Sequence, residues 1–257
     1  MTNESPTAPG ATQDALKFTG VSKSFGPRSV LRDISFTVQA GMGYVLLGRS
    51  GTGKSVTLKL ICGLLKPDAG TISVRDEDIT HMDSNELIPI RKRVGFLFQT
   101  GALFDSISVG ENIAFPMRRH SGKPANEIRE RAQALLERVG LGPEYNTMPS
   151  DLSGGMRKRV GLARALALEP AILLVDEPSA GLDPISSAEI DELLLSVKNT
   201  NRTTLVVVTH NIPSARAIAD RLAFLDQGRI LEEGTAAELE NSEHQMVRDF
   251  MKSQQGG

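Results

Sequence analysis

At 257 residues with 40% hydrophobic side chains, the chain is long enough for one large or two small domains around a sizeable core, which excludes disorder throughout. Its 29 basic and 31 acidic residues leave a net charge of −2, so no bulk field draws it to nucleic acid or an anionic membrane. The single cysteine, Cys62, has no partner for an internal disulfide; its apolar surroundings read as a small buried residue in a reducing compartment.

Residues 1–14, rich in Thr, Pro, Ala and Gly without periodicity, read as a disordered tail with neither the basic nor the apolar region of a secretory leader. Structure is expected from Ala15. The strands LKFTGV, ISFTV, YVLLG and TISV follow, interrupted once by a helix from Lys54 to about Leu65. Between Ile107 and Leu141 the pattern turns helical: Ile128, Ala132, Leu135, Leu136 and Val139 share a face, Glu127 precedes Arg131 by four, and Gly140 ends the helix. A further helix after Ser153 turns Met156, Val160, Ala163 and Ala167 inward and Arg157, Lys158, Arg159 and Arg164 outward.

The near-continuous apolar runs AILLV and TLVVVT have the character of parallel strands covered on both faces. Between them Asp183 as N-cap and Pro184 in the first turn start a helix with Ile190, Leu193, Leu194 and Val197 inward. LAFLDQGRILEEG reads as a hairpin turning at Gln227 and Gly228, and residues 241–257 as a C-terminal tail. Alternating strands and helices imply an α/β sheet. No apolar run is long enough to span a bilayer, so the chain is expected to be soluble and to meet a membrane only through partners.

The chemistry-bearing residues begin with Gly48, Arg49, Ser50, Gly51, Thr52, Gly53, Lys54 and Ser55, a complete P-loop pattern directly after a strand and before a helix that also contains Val56. Glycines let backbone N–H groups turn inward to cradle phosphates, the helix N-terminus adds its dipole, Lys54 neutralises charge and the Ser55 hydroxyl is placed to ligate Mg²⁺. A P-loop alone leaves kinases, GTPases and motors open. Asp176 and Glu177 end the strand AILLV, at the sheet edge where an α/β fold binds its ligand. There Asp176 suits the outer shell of a metal and Glu177 suits a general base polarising the attacking water. Ser153, Gly154 and Gly155, at the start of the basic helix, form a second surface able to bind phosphate.

LSGGM at 152–156 resembles the signature of the ABC transporter ATPases. Beside it, Gln99 resembles that family's Q-loop glutamine, Ser179-Ala180-Gly181-Leu182-Asp183 its D-loop, His210 its switch histidine, and Phe25 the aromatic that stacks on adenine. The resemblance covers about Ala15 to Leu239. It implies a P-loop NTPase of ABC type: a RecA-like core, an antiparallel β subdomain and an α-helical signature subdomain at about 100–168, within an ATPase domain of 15–240. It further implies ATP and Mg²⁺ as cofactors, Glu177, His210 and Gln99 as catalytic residues, and Ser55, Gln99 and Asp176 around the metal. Since the family's P-loop and signature face one ATP from opposite subunits, a homodimer is implied, with Ser153, Gly154, Gly155 and Asp183 serving the partner's nucleotide.

A narrower likeness lies in Phe98-Gln99-Thr100-Gly101-Ala102-Leu103-Phe104-Asp105-Ser106, Glu111-Asn112-Ile113-Ala114-Phe115-Pro116, LSGGMRKRVGLARAL and EPSAGLDP. These look like the ATPase of MCE-type (Mla-like) phospholipid transport systems. That implies a transmembrane permease and an MCE-domain protein as partners, no nucleic acid, and a peripheral place on the cytoplasmic face of the inner membrane. Asn211, Val56 and Gly41-Met42-Gly43 depart from common ABC patterns, none at a direct phosphate or metal ligand. A soluble ABC switch acting on nucleic acid would be expected to bring a second ATPase half or a coiled coil, and neither is visible. A small-molecule P-loop kinase would leave LSGGM and the D-loop without work. The loop Gly101–Phe104, continuing through Ile107, Val109, Ile113, Phe115 and Met117, is apolar enough to suggest that part of it is a docking surface, the alternative being that these side chains pack the helical subdomain.

Overall fold

The computed structural model describes residues 13–253. Residues 1–12 of the expected N-terminal tail and 254–257 of the C-terminal one lie outside that range. Two long strands, β1 (Asp14–Phe25) and β2 (Arg28–Gln39), pair antiparallel around a turn at Gly26 and Pro27. In β2 the buried Ile34, Phe36 and Val38 alternate with exposed Ser35, Thr37 and Gln39, the pattern of a sheet with one dry and one wet face. β3 (Gly43–Leu47) follows, then α1 (Lys54–Ile61), β4 (Ala69–Val74) and the short β5 (Glu77–Asp78). The order β2-β1-β4-β5 makes a separate antiparallel sheet. Phe36 joins it to the core, stacking on Phe18 at 4.6 Å and on Tyr44 of β3 at 5.2 Å between ring centroids.

Helix α1 ends at Ile61, four residues short of the expected Leu65. The N–H groups of Gly63 and Leu64 turn back to the carbonyls of Leu60 and Lys59, which satisfies the orphan acceptors and closes the helix. Next come α2 (Leu87–Lys92) and β6 (Val94–Leu97), then the helices α3 (Val109–His120), α4 (Ala125–Arg138) and α5 (Gly154–Ala165). Ser108 caps α3 and Ser153 caps α5, each accepting from a main-chain N–H three residues on. After them β7 (Ile172–Asp176), α6 (Pro184–Asn201), β8 (Thr204–Thr209), α7 (Ile212–Ile218), β9 (Arg221–Asp226) and β10 (Arg229–Gly234) complete the sheet. Its order is β10-β9-β3-β8-β7-β6, parallel from β9 to β6 with β10 antiparallel on the edge. As expected, Asp183 caps α6 and the last hairpin turns at Gln227 and Gly228.

The central strands are dry on both faces. Tyr44 and Leu46 of β3 join one apolar cluster with α1, α2 and the antiparallel sheet, while Val45 and Leu47 join another with α3–α7. α8 (Ala236–Glu240) and α9 (Gln245–Lys252) pack on the second cluster. Within the segment read as a C-terminal tail, Val247 and Met251 are fully buried, and the Phe250 ring meets Phe224 of β9 edge-on at 5.0 Å.

The basic face expected on α5 needs correction. Arg157 is exposed, but Lys158 is buried, its ammonium bonded to main-chain carbonyls, and Arg164 donates to the carbonyls of Gly101 and Ala102 at 2.9 and 2.8 Å. α5 is thus covered on most sides, with Val160, Gly161, Leu162 and Ala163 consecutively buried. The approach to residue 101 leaves no room for a side chain: a Cβ on Gly101 would lie 2.8 Å from the Arg157 carbonyl, at a φ of +78°.

Candidate active site

Strand β3, with neighbours on both sides in the sheet, delivers the loop Gly48–Gly53 to the carboxyl edge. Three glycines of that loop hold positive φ, and a Cβ on Gly48 would lie 2.2 Å from the Leu225 carbonyl, so the loop can follow this path only without side chains there. The Lys54 ammonium is buried beneath it, donating to the carbonyls of Gly48 at 2.7 Å and Arg49 at 3.1 Å. Burial lowers the Lys54 pKa, opposed by the Glu177 carboxylate 3.5 Å away.

One residue along α1, the Ser55 hydroxyl donates to Asp176 Oδ1 at 2.8 Å. Burial raises the Asp176 pKa and that hydrogen bond opposes the rise. Glu177 leaves the end of β7 with a φ of +46°, held by its N–H on the Val208 carbonyl at 2.9 Å. A non-glycine residue in that region is a local strain of the kind concentrated at functional sites. The conformation aims one carboxylate oxygen at Lys54 and the other at His210 Nδ1, 2.9 Å away.

Phe25, Arg28, Val30, Ser50, Gly51, Gly53, Lys54, Ser55, Val56, Gln99, Glu177 and His210 line one cleft of about 450 Å³. Of the site residues expected from sequence, Phe25, Gln99, Glu177 and His210 thus gather around the loop from four separate parts of the chain. Phe25 offers an exposed ring at the mouth, with Lys23 Nζ 5.6 Å from its centroid. Arg49 and Thr52 do not line the cleft: Thr52 Oγ1 donates to the Arg49 carbonyl, and Arg49 faces a depression beside Gln245 and Asp249. Arg28 and Val30 do line it, and no motif pointed to them; the only signal was their place just beyond the turn after Phe25.

Ser153, Gly154, Gly155 and Asp183 are absent from this cleft. They lie at the starts of α5 and α6, where Ser153 Oγ accepts the Met156 N–H at 3.2 Å and a Cβ on Gly154 would meet nothing within 4 Å. Gly155 faces Ser186, and the Asp183 carboxylate caps α6 through the N–H groups of Ile185 and Ser186. The Ser153–Gly155 helix start and the Lys54 cleft therefore do not converge on one chain.

Among the described residues no group of three or more His, Cys, Asp or Glu side chains could hold a metal alone. Ser55 with Asp176 is nonetheless a hard oxygen pair of the kind that suits Mg²⁺, which keeps waters and substrate phosphates as its other ligands. No helix among the described residues is long and apolar enough to cross a membrane.

A two-face-covered sheet, a glycine loop cradling a buried lysine and a carboxylate pair at the strand edge define a P-loop NTPase. The chain belongs to the ABC transporter family, whose profile, described as "ABC transporter", matches residues 31–180, and it binds and hydrolyses ATP. It is 42% identical over 243 residues to the probable ribonucleotide transport ATP-binding protein mkl of Mycobacterium tuberculosis, covering 95% of this chain and 68% of that one. With the intermembrane phospholipid transport system ATP-binding protein MlaF of Haemophilus influenzae it shares 38% over 245 residues, covering 95% and 93%. A methionine import ATP-binding protein, MetN of Rhizobium johnstonii, is 40% identical over 90% of this chain and 64% of its own length. Among solved structures, the ATP-binding cassette MJ0796, a dimer bound to ADP and Pi, superposes with a TM-score of 0.80 at 32% identity, covering 86% of this chain and 98% of that one.

Proposed function

We propose that this cassette works as a homodimer that powers an MCE-type phospholipid transporter, through a permease on the cytoplasmic face of the inner membrane. The observation that carries the dimer is the separation of the Lys54 cleft from the Ser153 surface: a two-fold pair would bring each cleft against the other copy's signature and complete two sites by symmetry. Support for lipid transport comes from the match to MlaF, which runs nearly the full length of both chains, whereas the methionine importer extends well beyond this one.

In this reading Lys54 and the loop N–H groups hold the phosphates, Phe25 stacks on the base, and Ser153 with Gly154 and Gly155 closes over the partner's nucleotide. Ser55 and Gln99 would hold Mg²⁺ with Asp176 behind them, and the ion would neutralise charge developing on the phosphates. Glu177 accepts the proton of the attacking water. His210, tied to the same carboxylate, keeps it aimed.

The permease contact is the groove beside Gln99. Phe96, Phe98, Ala102, Phe104, Phe115 and Leu168 are among the residues lining an apolar depression of about 600 Å³, suited to a short helix of the membrane partner. The surface is narrower than the sequence suggests. Val109, Ile113 and Met117 are buried in the core and Leu103 packs against it, leaving Phe104 and Phe115 exposed with their rings 4.9 Å apart.

Affinity purification of the full chain from its native membrane tests the proposal. A permease and an MCE-domain protein are expected to come with it. Recovery of a solute importer alone would end the lipid reading and leave the ATPase standing.

A further inference from the structure

Lys158 is a buried cation that none of the motifs employs. It stands on α5 five residues after Ser153, on the stripe shared with Gly155 and Leu162 at helical spacing. Its ammonium donates to the carbonyls of Pro178 at 2.7 Å and Ala180 at 2.5 Å and reaches that of Glu177 at 3.5 Å. An ammonium has three donors, and here all three are spent on one four-residue turn. The charge is costly to bury, and an apolar residue would fill the space without that cost. What the charge adds is a directional hold on three carbonyls of the turn that begins at Glu177.

That turn needs a hold. Glu177 departs from β7 in the left-handed region, and within the turn itself the hydrogen bonds are few: Ala180 N–H to the Glu177 carbonyl at 3.2 Å and Leu182 N–H to Ser179 at 3.1 Å. Ser153 caps the N-terminus of the same helix, five residues before Lys158, and does not line the cleft. We propose that Lys158 is a positioning residue for hydrolysis, pinning the Glu177–Ala180 turn to the helix headed by Ser153. The two half-sites of one chain then move together: docking of a second copy's nucleotide on Ser153 is transmitted to the Glu177 carboxylate that already lines the chain's own Lys54 cleft. This rests on the dimeric, Glu177-dependent reading of the site.

Lys158→Met removes the donors and keeps the volume; Lys158→Gln restores an N–H donor pair. In the full-length chain, kcat, KM for MgATP, the affinity for a fluorescent ATP analogue and the melting temperature are measured for both. Misplacing a base without removing it should cost about 10- to 100-fold in kcat. The Met variant is expected to show that loss with analogue affinity within threefold of wild type on the order-of-magnitude scale of such measurements, and Gln to recover part of it. A Met variant with wild-type kcat, a loss of analogue affinity parallel to kcat, or a Gln variant no better than Met would each overturn the proposal. If Met does not fold, Lys158→Ala, which admits water to the carbonyls, takes its place under the same criteria. Glu177→Gln run alongside separates the two ideas: undiminished turnover there would remove the hydrolytic reading itself, whatever Lys158 does.

Discussion

Glu177 Oε2 lies 2.9 Å from His210 Nδ1 and also accepts the main-chain N–H of His210 at 3.3 Å, so carboxylate and imidazole form one unit. The other oxygen of Glu177 faces the Lys54 ammonium at 3.5 Å. Glu177→Gln should keep the shape and lose the base. Turnover is expected to fall by about 10²–10⁴ with ATP binding retained, as read from steady-state phosphate release and equilibrium titration. Near-normal turnover would take the base role from Glu177.

Lys54 and Ser153 should fail in different ways. The Lys54 ammonium is the buried charge under the loop, so Lys54→Ala is expected to weaken nucleotide binding by the isolated chain about tenfold or more. Ser153 lies off the cleft, and Ser153→Ala should bind ATP as the wild type does yet not assemble the ATP-dependent dimer, as followed by light scattering. Equal losses of monomer binding would contradict the two-sided site.

Phe104 and Phe115 are the test of the groove. Both are exposed and neither touches the Lys54 cleft, so Phe104→Asp with Phe115→Asp should leave ATP binding unchanged. Burying two such rings against a partner stabilises by roughly 2 kcal/mol each, enough to lose most of the permease in a pull-down. Undiminished recovery would move the docking surface elsewhere.

Cys62 should be inert in the native state. Its side chain is buried and burial raises its pKa, so at neutral pH the thiol stays protonated and out of reach. Alkylation by iodoacetamide is expected to be slower than in denaturant by on the order of 10²-fold or more, since it waits on local opening. Rapid native labelling, read by mass spectrometry, would show that the end of α1 opens freely.

The parts legible in the sequence are those whose chemistry is local in the chain. The P-loop, the Asp176–Glu177 pair and the Asp183 cap each sit within a few residues of the turn that positions them. Lys158 and Arg164 were not legible, because helical periodicity sends basic residues to solvent. What brings them inside is carbonyl groups up to 22 and 63 residues away, at Ala180 and Gly101. Helix α9 was hidden for a similar reason. Its eight residues carry Val247, Phe250 and Met251, and Phe250 is recognisable as an anchor only beside Phe224. The apolar run near Gln99 divides between core and surface: Val109, Ile113 and Met117 recur every four residues, the stripe of a core-facing helix, and are buried, while Phe104 and Phe115 stay exposed.

The alternation along β3 has a consequence for how the phosphate loop keeps its aim. Tyr44 and Leu46 serve one core, Val45 and Leu47 the other, so a slip of one residue would exchange all four and bury each in a space shaped for a different side chain. The loop's direction is therefore set by packing on both sides of the strand behind it, before any glycine is considered. A ligand can pull on the loop without dragging the strand out of register, and the glycines are left to do one thing, which is to let the backbone come close.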